Sequence, residues 1–598
     1  MIPHRSTALI TIIVFVALLL VIFSSSPSPD LESGEKEEIT GPAKYIPHPK
    51  FPSLNDLHIP SFHPTAHTPP EAQPNSTSGE SKWFSNWAWI NPFSSSITLD
   101  ENRSVLPPLR DRPFIYTYYE PNKANDKAEE NADAQLLLTW RRAWFAQGFR
   151  PVILGRGEAM NSEFYQLVQS LAVKPELEKE LLRWLAWGNM GDGLLADWHC
   201  FPMARYDDAT LSYLRRGSDP AFISRFEHIG SALFAGEKTR INDAISEATK
   251  QIQDKAQSAT SMFDLVPAEF FKMEQQSSIA YYNSAAITSN YATLAEHLAK
   301  SPPEGRVELA ELINSHLHTT FHNSFPAGIA VLKPFTEHTT ALVEPGLRLS
   351  KALARCPDSP HPHLNSCPPN LQTCHPCDPE KPMHVSQPAT YRNTTQVFTI
   401  GILPHPYTLV SLQQNSAEVT TRHIRRETER DPWLKEVTKE HLGMELGGSA
   451  RAVVFKKAVA EDGVIGTSLW MTVEALPPDV GQALPSDLLD EFEWQFGFKI
   501  PRTSNVDAKN EGEAKDSMQN ANPSLQGVEK EYEVLKQARE LLNSKEGPRI
   551  GIKDVSEAWN LADTEVWRFV RAYRARSVVE RKKWEEEEKD FIGAKPRA

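Results

Sequence analysis

The longest apolar run comes first: Thr7 to Phe23, TALITIIVFVALLLVIF, carries no charge and follows His4 and Arg5. Seventeen residues at about 1.5 Å rise per residue sit at the short limit for spanning hydrocarbon. The basic flank predicts a cytoplasmic tail over residues 1–6, a membrane anchor over 7–23 and an external or lumenal remainder. A cleaved signal peptide is the rival, although the run ends in SSSPSPD without an A-x-A-like cleavage site. Patterned segments begin near residue 111. RPFIYTYYE reads as a strand, Ala134 to Phe149 has helical spacing, and RPVILG reads as a buried strand; together they predict a βαβ unit and a parallel sheet. Pro175 opens a second amphipathic helix, ELEKELLRWLAW, which leads through GNMGDG into the strand-like LLADW.

Downstream, residues 239–355 read as mainly helical and 392–412 as strand-like. A charged helix is expected within 419–442, and ARAVVFKKAV and TSLWMTVEAL read as further strands. The expectation is an α/β lumenal domain over 111–502, a polar linker over 503–526 and a charged, solvated helical region over 527–598. Residues 24–110 lack periodicity and are rich in Pro, Ser and His, which predicts a flexible stem. An island in it, SKWFSNWAWINPF with Trp83, Trp87 and Trp89, reads as a segment that docks on the body.

Composition narrows the function. Among 598 residues the apolar share is 40% and the net charge −14, so no concentrated basic face for nucleic acid is present. The N-x-[ST] triplets at Asn75, Asn102 and Asn393 agree with a secretory compartment as glycosylation sites. Cys356, Cys367, Cys374 and Cys377 fall within 22 residues. In an oxidising lumen two disulfides are the preferred reading over zinc, with three pairings open; Cys200 is then a free buried thiol. His318 and His322 stand one helical turn apart but lack the glutamate of H-E-x-x-H, so helix histidines are preferred to a zinc hydrolase. P-loop, G-x-S-x-G and G-x-G-x-x-G motifs are absent, and the HPY triplet at His405 to Tyr407 reads equally as a site loop or a rigid turn.

The chemistry-bearing stretch is RWLAWGNMGDGLLADWHCFPM, where Asp192 and Asp197 are the two acids of an otherwise largely apolar segment. An unpartnered buried carboxylate costs several kcal/mol, so each acid is either paired or holds a ligand. Downstream, Asp207 and Asp208 with Arg215 and Arg216 read either as a helix cap with a basic end or as an acceptor or diphosphate site.

A short anchor, a proline-rich stem and an α/β body have the layout of a Golgi type II glycosyltransferase. PFIYTYYE, LLTWRRAWFAQGFRPVIL and LLRWLAWGNMGDGLLADW resemble the nucleotide-sugar half, residues 111–245, of GT-A transferases related to fungal mannosyltransferase and capsular-polysaccharide families. The resemblance implies a GT-A-like Rossmann-type domain with helical additions that moves a hexose from a nucleotide sugar to a glycan or glycoprotein. Arg183 matches the arginine of the family's helix, Gly191 and Gly193 its turn, and Asp197 the first acid of D-x-D, here D-W-H. By that resemblance Tyr116 and Tyr118 line the nucleotide, Arg183 pairs with an acid or the phosphate, and Asp192 shapes the sugar site. Asp197 holds a metal or the diphosphate, and His199 is either a further ligand suited to Mn2+ or the mark of a site that has lost its metal. The alternative is an inactive lumenal protein that uses the same fold to bind glycans or other secretory proteins.

Overall fold

A computed structural model describes residues 66–70, 106–107, 110–121, 127–171, 173–217, 219–255, 258–259, 261–332, 343–361, 367–371, 374–388, 390–392, 394–404, 432–443, 449–460, 466–473, 484–502 and 561–589. All belong to one of the chain's two units, residues 63–598. The expected anchor, the Trp83–Trp89 island, the three sequons, the HPY triplet and the 503–526 linker lie outside the described residues. Among the described residues no helix is long and apolar enough to cross a membrane.

The architecture is mixed α/β, with a six-stranded and a four-stranded sheet. The first is built from β1 (Phe114–Tyr118), β2 (Arg150–Leu154), β3 (Gly193–Ala196), β5 (Ile223–Phe226), β6 (Leu233–Gly236) and β7 (Phe271–Glu274), in the order β2-β1-β3-β6-β5-β7. Strands β2, β1 and β3 run parallel; β6 runs antiparallel to both β3 and β5, and β7 parallels β5. A short antiparallel pair, β4 (Cys200–Pro202) with β8 (Ile279–Tyr281), continues from β3. The second sheet, β10-β9-β11-β12, is parallel throughout: β9 (Ile329–Leu332), β10 (Val385–Ser386), β11 (Phe398–Leu403) and β12 (Ser468–Thr472).

Helices cover both faces of the first sheet, as parallel strands require. Alternation along β1 and β3 sends Ile115, Leu194 and Ala196 to the side of α1 (Lys127–Ala146). It sends Tyr116, Tyr118 and Leu195 to the side of α3 (Pro175–Met190). Between β2 and α3 lies the short α2 (Arg156–Met160). The expected βαβ unit is present, with α1 starting earlier than its apolar stripe because the polar KAEENADA turns belong to it. Helix α3 runs past Gly188 to Met190. The chain then turns at Gly191 (φ 104) and Gly193 (φ 142), where a Cβ on Gly193 would stand 2.7 Å from the Phe114 carbonyl oxygen.

Three expectations are corrected. ARAVVFKKAV is helical, within Ser449–Ala460: buried Ala452, Phe455 and Val459 share one face at helical spacing and outweigh the β-branched content. The C-terminal region is not simply solvated, since Leu561–Glu588 buries Val566, Trp567, Phe569, Val570 and Trp584. The stem is not wholly free either: residues 66–70 are placed on the body, with His67 buried.

Candidate functional site

Connectivity selects one edge of the first sheet. From β1 the chain goes through α1 to β2 on one side, and from β3 it continues to β5 and β6 on the other. The loops after β1 and β3 therefore diverge, leaving the crevice at which open α/β sheets bind ligands. Tyr119 follows β1, and Asp197, Trp198 and His199 follow β3. The Tyr119 and Trp198 rings meet edge to face at 5.4 Å, and the Tyr119 hydroxyl donates to Asp133 Oδ2 at 2.9 Å. Asp133 is in turn paired to Arg306 at 2.9 Å, so the aromatic floor is anchored from outside the crevice.

The Asp197 backbone N–H donates to the Ala232 carbonyl (2.7 Å), and Cys200 N–H donates to the Asp197 carbonyl (2.9 Å), forming a tight turn. Within it, Asp197 Oδ1 accepts both the backbone N–H and ring Nδ1 of His199, each at 2.8 Å. Burial alone would raise the Asp197 carboxyl. The His199 hydrogen bond and the charges of His199 and Arg183 prevail and bring it down to about 2. Arg183 is held by Glu180 (Nη1 to Oε2, 3.4 Å) and donates from Nη1 to the Ser231 carbonyl at 3.0 Å, while its Nη2 is buried without a partner. Tyr281, from β8, completes the group: burial and the Asp197 charge push its hydroxyl up. The direct partner of Asp197 is thus His199, with Arg183 supplying charge at longer range.

The remaining sequence-predicted site residues lie elsewhere. Asp192 precedes β3 whereas Asp197 follows it, which separates them by roughly 16 Å at about 3.3 Å per residue; Asp192 Oδ1 accepts the Lys238 N–H at the start of a helix, Lys238–Lys255. Tyr116 is fully buried under α3, and Tyr118 donates to Glu120 Oε2 at 3.0 Å; both face the core rather than the crevice. Asp208 caps helix Ala209–Arg216 by accepting from Thr210 N (2.9 Å) and Leu211 N (3.1 Å), and Asp207 pairs with Arg205. Two disulfides join Cys356 to Cys377 and Cys367 to Cys374, and Cys200 is a free buried thiol. His318 and His322 both direct Nε2 at the Leu353 carbonyl, at 2.8 and 2.7 Å, which gives them a structural role.

A divalent ion shared by Asp197 and His199 does not fit this arrangement. Nδ1 and Oδ1 are spent on one another, and Nε2 lies across the ring from the carboxylate. No cluster of three metal-ligating side chains occurs among the described residues. Sequence reasoning missed Tyr119, Trp198, Glu180 and Tyr281; only the position of Trp198 beside Asp197 was a local signal. A cavity of about 270 Å³ lies at the other ends of the strands, lined by residues such as Arg112, Phe145, Tyr206, Phe398, Trp470 and Trp494. Several of its charged groups are already engaged: Arg112 Nη1 donates to the Phe145 carbonyl at 2.8 Å and Arg574 pairs with Glu491 at 3.8 Å. The crevice, with a partly exposed acid and imidazole, carries more chemistry.

Residues 77–597 match the profile of a family described as a domain of unknown function, DUF8765, and the chain belongs to that family. No curated protein and no solved structure matches it.

Proposed function

We propose that this protein is a glycosyltransferase of the secretory pathway, a type II membrane protein whose first sheet binds a nucleotide sugar and transfers its hexose to a glycan or glycoprotein. The observation that carries this reading is the switch-point crevice. There a carboxylate kept ionised, an imidazole and a tryptophan stand partly exposed at the end of β3, beside a buried arginine whose Nη2 has no hydrogen-bond partner. An aromatic floor suits a base or sugar ring, and a cationic side chain suits a diphosphate. The order of strands about the antiparallel β6 supports the GT-A resemblance. A second reading, an inactive protein that binds glycans or secretory proteins, draws support from the closed Asp197–His199 contact where D-x-D enzymes carry a second acid.

A thermal-shift screen against UDP- and GDP-sugars, with and without Mn2+, separates them. Ligand at 100 times its Kd stabilises the native state by about 2.7 kcal/mol. The transferase reading expects a shift with one nucleotide class; a folded protein that no donor shifts refutes it and favours the binding protein.

A further inference from the structure

We propose that His199 is the general base of the transfer, taking the proton of the acceptor hydroxyl at Nε2 in a direct, inverting displacement, with Asp197 as the residue that positions it. The inference rests on the nucleotide-sugar reading above and assigns the residue which that reading leaves unnamed.

The geometry carries the assignment. An imidazole whose Nδ1–H is donated to a carboxylate is fixed as the tautomer with its lone pair on Nε2. Here Asp197 Oδ1 takes that Nδ1–H at 2.8 Å and also the backbone N–H of the same residue at 2.8 Å, so ring and main chain are clamped together. The clamp has two rigid ends. Asp197 N–H donates to the Ala232 carbonyl between β3 and β6, and Tyr282 N–H donates to the His199 carbonyl at 3.0 Å beside the β4–β8 pair. The Trp198 ring, 4.5 Å from that of His199 between centroids, limits its swing. Nε2 has no protein partner among the described residues, and the side chain is 28% exposed, which leaves Nε2 free to meet an acceptor hydroxyl. A turn-forming aspartate alone would need only the backbone N–H.

The step balances without a further reactant. The acceptor oxygen forms a bond to the anomeric carbon as the bond from that carbon to the diphosphate oxygen breaks, and the nucleoside diphosphate leaves with the electron pair. The hydroxyl proton goes to His199 Nε2, and the resulting imidazolium is held against the Asp197 carboxylate until it passes the proton to water. This is the division of labour of an imidazole base oriented by a carboxylate.

The test uses the full chain in detergent, with nucleoside diphosphate release from UDP-glucose and GDP-mannose as the readout. His199→Asn keeps an amide N–H for Asp197 and so preserves the turn, but removes Nε2. His199→Ala opens a space that imidazole can enter. Donor binding is followed separately by thermal shift. The expected result is that both variants bind donor like the wild type and leave its KM unchanged, that kcat falls by about 10²–10⁴-fold, and that imidazole restores turnover to His199→Ala but not to His199→Asn. Donor binding with kcat within about threefold of the wild type overturns the assignment, as does a loss in His199→Ala that imidazole does not repair. A wild-type protein that binds no donor overturns the nucleotide-sugar reading itself, and the base role with it.

Discussion

His67 offers the sharpest quantitative prediction. It lies in the short segment 66–70 and is 8% exposed. Its backbone N–H and Nδ1 both meet Glu158 Oε1 at 2.7 Å, and its Nε2 faces Glu588 Oε2 at 3.2 Å. Glu158 belongs to α2, just beyond β2, and Glu588 to the C-terminal helix, so one side chain ties together three distant stretches of chain. Burial alone would lower the imidazole; the two carboxylates outweigh it and raise it from 6.5 to about 9. The folded protein therefore holds a proton that the unfolded chain releases above pH 6.5. The stabilisation is fully present below 6.5 and is lost as pH rises through about 9. At 1.36 kcal/mol per pH unit the window is worth about 3 kcal/mol, a rise of about 300-fold in the detached population. Hydrogen exchange of the Ala66, His67 and Thr68 amides, corrected for intrinsic rates, should lose protection across that window, and His67→Gln should be poorly protected throughout. Constant protection from pH 6.5 to 9, or the same loss in His67→Gln, would refute the reasoning.

Two further outcomes follow from local geometry. The Cys356–Cys377 disulfide spans 21 residues and Cys367–Cys374 spans 7. Chain entropy makes the first worth about 3 kcal/mol and the second about 2, so denaturant titration should find the Cys356→Ala/Cys377→Ala pair the costlier loss. A Cβ on Gly401, within β11, would stand 2.1 Å from Trp470 Cε3 on the neighbouring strand. Gly401→Ala should cost about 1–3 kcal/mol or more, read as a lowered Tm, with little effect on donor binding at the other sheet.

The sequence made the first half of the fold legible where periodicity was strong. Ile115, Tyr116, Leu136, Trp140 and Trp144 fall on faces that only a strand and a helix explain. It was less legible where composition and period disagreed: Val453, Val454 and Phe455 suggest a strand, yet the buried Arg451, Ala452 and Phe455 fit a helix, with Arg451 donating to Thr438 Oγ1 at 2.7 Å. Asp197 and His199 could be singled out because their chemistry is local, two residues apart in one turn. Whether they share a metal or each other depends on a ring orientation that spacing does not encode. Asp192 is as close in sequence but sits at the opposite end of a four-residue strand. The Tyr119–Trp198 floor joins positions 79 residues apart, and no local pattern marks that pairing. The charged C-terminal helix likewise hides its contacts, because Trp584 stacks on Phe145 at 5.5 Å from across the chain.

The central claim, that the crevice after β1 and β3 holds a nucleotide sugar, is tested most directly by photolabelling the protein with azido-uridine and azido-guanosine diphosphate sugars and mapping the modified peptides. The account predicts label that unmodified donor competes away, on peptides containing residues 117–121 or 197–200. Label on residues 143–148 or 494–498, which line the cavity at the opposite ends of the strands, would contradict it, as would the absence of any competable label.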